Sequence, residues 1–129
     1  MTLNIRQKST VADIQTAFQH EFPFLKAVFF REASGGNDFW ANDMVLNNRI
    51  ALSELSESVP RYGENFVFSP NITVTEFENA LQNRYGLNVR IFRKHYGDLV
   101  ETTESRNLDL QGQNEKGAAT SQLVEEVIL

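Results

Sequence analysis

At 129 residues, with 41% hydrophobic side chains, the chain has the size of one domain and enough apolar content for a single core, with little to spare. Its net charge of −5 works against non-specific binding to phosphate backbones, and its zero cysteines exclude disulfides, cysteine-rich zinc sites and a thiol nucleophile. With no apolar run long enough to span a bilayer and no basic-then-apolar leader, the expectation is a cytoplasmic protein with no membrane contact, no metal and no cofactor.

The first unit opens with a short extended segment at Leu3-Asn4-Ile5. Thr10-x-x-Asp13 then has the pattern of a capping box, in which the threonine hydroxyl accepts from an orphan N–H and the carboxylate reaches back. Val11, Ile14, Ala17, Phe18 and Phe22 follow on one face at helical spacing, and Pro23 ends the helix. Leu25 to Arg31, apolar and rich in aromatics, reads as a strand.

The same order recurs about 63 residues later. Phe66-Val67-Phe68 stands for Leu3-Asn4-Ile5, Thr73-x-x-Glu76 for the first cap, and Val74, Phe77, Ala80, Leu81 and Tyr85 for the first apolar face. Gly86 ends this helix and Leu87 to Lys94 is its strand. His95-Tyr96-Gly97 turns into a further strand over 98–104, with Gly97 supplying the positive φ of a hairpin. Two such βαβ-type repeats, 3–31 and 66–94, predict an α+β, ferredoxin-like domain, one antiparallel sheet with both helices on one face.

Residues 32–62 read as an insertion. They hold the turn cluster Ser34 to Asp38, then Phe39-Trp40, then a short strand and helical turn between Arg49 and Ser58, and part of this length should be ordered. At the other end, 105–122 is polar and contains glycine, and Leu123, Val124, Val127 and Ile128 form an arm at helical spacing.

Alternation along the strands assigns Leu25, Ala27 and Phe29, with Leu87, Val89 and Ile91, to the helices. The opposite face receives Lys26, Val28 and Phe30 from one strand and Asn88, Arg90 and Phe92 from the other, joined by Arg6 and Val67. A face this apolar should be covered, and three covers are considered. One is the 32–62 segment or the C-terminal arm; another is a second copy in a homodimer; the third is a single-stranded nucleic acid stacked on the rings. Gly63 to Phe68 bears a faint likeness to the RNA-recognition octapeptide. Glu64 and Ser69 depart from that pattern, and the acidic balance adds to the case against nucleic acid.

Catalytic signals are sparse. His95 and Asp98 flank the hairpin turn and are the candidates for a general base or half a metal site, giving a small hydrolase-like or metal site as one alternative. Asp98 and Glu104 share a strand face while Glu101 points away, and Asp109 follows outside the strand, so these carboxylates do not make a metal trio. His20 sits late in the first helix, where it suits the dipole. No phosphate loop, nucleophile elbow or zinc-binding helix is written in the chain.

The run Thr73 to Glu78, then Arg84 to Lys94, then Glu101-Thr102-Thr103 with Gln113-Asn114, resembles a group of small uncharacterised bacterial proteins. The resemblance covers about half the chain and implies a recurring unit that includes the stretch from Asn107 to Gly117; no activity comes with it. The leading expectation is a non-enzymatic protein–protein interaction or assembly module, partnered by another protein or by itself as a homodimer. Its interface is expected at Val28, Phe30, Val67, Arg90 and Phe92.

Overall fold

The helices begin where the threonines place them. Thr10 Oγ1 accepts from Asp13 N–H at 3.1 Å and Asp13 Oδ2 accepts from Thr10 N–H at 2.9 Å, so the first capping box closes as predicted. At the second helix Thr73 Oγ1 accepts from Glu76 N–H, while the Glu76 carboxylate takes the threonine hydroxyl at 2.9 Å. The computed structural model describes residues 1–31, 44–102 and 107–128, with side chains through Leu123. Along it run β1 (Thr2–Ile5), α1 (Val11–Glu21), β2 (Leu25–Phe30), a 3-10 turn (Leu52–Glu54), β3 (Glu64–Val67), α2 (Val74–Tyr85), β4 (Asn88–His95), β5 (Asp98–Glu101) and α3 (Leu110–Ile128).

The fold is mixed α and β, but the described strands divide between two antiparallel sheets where one ferredoxin-like sheet was expected. β1 pairs with β3, Leu3 opposite Phe66, and β2 pairs with β4, Val28 opposite Arg90. β5 extends the second sheet from β4, placing Asp98 opposite His95. Alternation along a strand specifies a face and carries no information about which strand lies alongside, and here neither β1 nor β2 pairs with the other.

The faces themselves follow the alternation. Leu25, Ala27, Phe29, Leu87, Val89 and Ile91 lie in one apolar cluster with Leu3, Ile5, Phe66 and Phe68 and with the inner faces of α1 and α2. Phe77 of α2 is its hub: ring centroids of Phe18, Phe66 and Phe68 lie 5.3, 5.8 and 5.0 Å away. At the rim, Glu64 of β3 pairs with Arg84 and accepts from the Tyr85 hydroxyl at 3.1 Å. Burial, and then that bond to Glu64, raises the Tyr85 phenol above its ordinary pKa.

The polar stretch that reads as a segment with an arm contains α3. Asp109 Oδ1 accepts from Gly112 N–H at 2.6 Å and starts the helix, and Leu110 enters the main core. The glycine that suggests a linker is needed for packing: a Cβ on Gly117 would lie 2.7 Å from Phe24 Cβ and 3.1 Å from Phe24 O. Asn114 Oδ1 fastens the same junction by accepting Phe24 N–H at 2.9 Å. Alanine favours helix over glycine by about 1 kcal/mol, yet overpacking here costs about 1–3 kcal/mol. Gly117→Ala is therefore expected to lose up to about 2 kcal/mol in urea denaturation, and a stabilised variant would mean that α3 does not approach Phe24.

Candidate contact site

β4 reverses into β5 through two residues with positive φ, Tyr96 at 51° and Gly97 at 92°. A two-residue hairpin with this handedness favours Asn-Gly, because the first position also sits in the left-handed region. A tyrosine there costs about 1–2 kcal/mol relative to a residue that tolerates the conformation, and its ring, which makes an edge contact with His95 at 4.6 Å, stands largely in solvent.

α3 runs toward this hairpin. Its successive contacts pass from Phe24 at Asn114, to Phe24 and Arg93 at Gly117, to the Lys94 carbonyl, 3.4 Å from the Thr120 hydroxyl. Leu123 follows three residues after Thr120 and so shares its helix face. Leu99 is the cross-strand neighbour of Lys94. Tyr96 and Leu99 on the hairpin and Leu123 on α3 are 54%, 45% and 47% exposed.

Four of the five residues expected to form the interface, Val28, Phe30, Arg90 and Phe92, lie on the paired strands β2 and β4, with Val28 directly opposite Arg90. Val28 and Phe30 are only 7% and 2% exposed, and the chain returns along the outer edge of β2, with Val45 N–H donating to Phe29 O at 2.9 Å and Met44 bridged to Phe30. Val67 is 66% exposed but belongs to the other sheet. Phe92 is half-buried, as is Arg90, whose Nη1 donates to Glu78 Oε1 at 3.2 Å. Lys26 and Arg6 are exposed and Asn88 is half-buried. Phe39, Trp40 and Glu104 lie outside the described residues.

His95 and Asp98 face one another in register, and both are exposed. Among the described residues no group of three His, Asp or Glu is placed to hold a metal ion, and no described helix is long and apolar enough to cross a membrane. The rings of Phe66 and Phe68, the aromatics of the RNA-recognition likeness, are buried in the core.

Sequence reasoning passed over Glu78, a buried carboxylate on α2. Its Oε2 accepts from Ile91 N–H at 2.8 Å, and Thr102 Oγ1 donates to Ile91 O at 2.9 Å. Ile91 is the residue of β4 just beyond the reach of β5, so these two side chains complete a ladder that has run out of partner strand. The contact site did leave a local signal, since Tyr-Gly stands where a two-residue hairpin prefers Asn-Gly. Comparison with protein-family models, curated proteins and solved structures finds no match.

Proposed function

We propose that the protein is a non-enzymatic association module that joins a second copy of itself through the β4–β5 hairpin tip and the end of α3. The observation that carries this reading is Tyr96, a large exposed ring held at φ 51° where asparagine or glycine would be easier. Strain at an exposed residue argues for a use of that residue, and Leu99 on the same hairpin and Leu123 on α3 supply exposed apolar area. Closed pairs are the commonest arrangement of like chains.

The test is solution mass measured across concentration. Wild type should approach twice the monomer mass, and Leu99→Asp with Leu123→Asp should stay monomeric while keeping its circular dichroism. A wild type that is monomeric throughout the accessible range would sink the proposal. Tyr96→Asn separates fold from function, because relief of the left-handed strain is expected to raise stability by about 1 kcal/mol while association weakens about tenfold. Loss or gain of both together would contradict that assignment.

The two βαβ units are, in the same proposal, copies of one another. Support comes from register: Leu3 lies opposite Phe66 and Val28 opposite Arg90, and in each pair the two residues occupy equivalent positions in the two units. Antiparallel strands place equivalent residues opposite one another when a two-fold axis passes between them.

A further inference from the structure

The stretch after β2 has no sequence likeness to the stretch after β4, yet both make the same bonds. Val11 N–H donates to Ile50 O and Val74 N–H to Leu108 O, both at 3.1 Å. Leu52 N–H donates to Ser9 O at 2.8 Å, and Leu110 N–H to Ile72 O at 3.0 Å. Ser53 N–H donates to Gln7 O at 3.3 Å, and Gln111 N–H to Pro70 O at 3.0 Å. On the side of the first helices the members stand 63 positions apart, as Val11 and Val74 do; on the other side they stand 58 apart, as Leu52 and Leu110 do.

Two further pairs keep the correspondence, and a third, at the outer edges of β2 and β4, keeps it with a shift of one residue. The helix caps Thr10 and Thr73 each form an isolated antiparallel bridge, one to Ala51 and the other to Asp109. Phe30 is paired by Met44 as Phe92 is paired by Glu101, so each central strand has its own returning chain on its outer edge. Ser56 Oγ donates to Tyr85 O at 2.6 Å and Asn114 Oδ1 accepts from Phe24 N–H at 2.9 Å, each reaching the helix–strand junction of the opposite half. Leu52 and Leu110, at matching places, are both fully buried.

We infer that the duplication extends past the two βαβ units, so that residues 50–56 are the counterpart of 108–114 and the chain is a two-fold pair of like halves fused end to end. Strand pairing between halves then does what pairing between subunits does in a dimer: β1 takes β3 and β2 takes β4. Among the described residues the halves differ at β5, where the first half has only the Met44 bridge, and at the element that follows. After the 3-10 turn the first half leaves the helical path, since Pro60, whose carbonyl accepts Gln7 N–H at 3.1 Å, leads the chain into β3. The second half continues as α3 to Ile128. Among the described residues the end of α3 that carries Leu123 has no counterpart, so self-association through it closes at two chains. This last point rests on the proposed association; the duplication does not.

The test exchanges residues 50–54 with 108–112 in the full-length chain, which moves each leucine and its own cap into the equivalent place. The exchanged protein should unfold cooperatively with a midpoint within about 5 °C of wild type, which for a domain of this size is a small perturbation. A control that exchanges 51–55 with 108–112, one residue out of register, should fall at least three times as far or fail to fold. An in-register exchange no more stable than that control overturns the duplication. Solution mass of the wild type is read separately, and a monomer there ends the association proposal while leaving the duplication standing.

Discussion

Glu78→Ala should lower the unfolding free energy by about 1–3 kcal/mol, the range for leaving a buried donor, here the Ile91 N–H, without its acceptor. The Ile91 N–H loses its acceptor, and the Arg90 guanidinium loses one of its contacts. Glu78 is only 5% exposed, so solvent does not readily take its place. Glu78→Gln, which keeps an oxygen for Ile91 but no charge for Arg90, should fall between the two. Urea denaturation measures the difference, and amide exchange at Ile91 localises it: protection there should drop more than at Val89, deeper in the pairing with β2. A loss under about 1 kcal/mol would show that the carboxylate does not terminate the ladder.

Phe77→Ala should cost about 3–5 kcal/mol, as large-to-small changes of a fully buried aromatic do. The reason is position: its ring meets Phe18 of α1, Phe66 of β3 and Phe68 just beyond β3, so one truncation opens a cavity touching both helices and the smaller sheet. Phe77→Leu retains much of the volume and should lose markedly less. The denaturation midpoint should fall with an unchanged slope, indicating lost stability in the same fold. Equal effects of the two substitutions would mean that the rings do not form one packed unit.

These expected effects fall on residues with different visibility in the sequence. Phe77 stands on a helical stripe behind a cap, and Leu25, Ala27 and Phe29 alternate with polar or outward neighbours, so their inward direction could be read without a structure. Glu78 is the residue next to Phe77, and helical spacing places it beside the apolar face without saying that an edge N–H awaits it. Gly117 looks like a linker glycine until Phe24 is known to lie against it. Leu52 and Leu110 occupy matching places, but the residues around them share too little to align.

Caps, alternation and the hairpin turn act over one to four residues, and the sequence by itself determined these: where α1 and α2 begin, which side chains face inward, and that the chain reverses at Tyr96-Gly97. The choice of partner strand, the division into two sheets, the helix in the polar tail and the burial of Val28 and Phe30 were decided only by tertiary structure. Each depends on segments brought together from tens of residues apart, where free energy comes from shared burial and completed backbone bonds and leaves no short-range pattern in either segment.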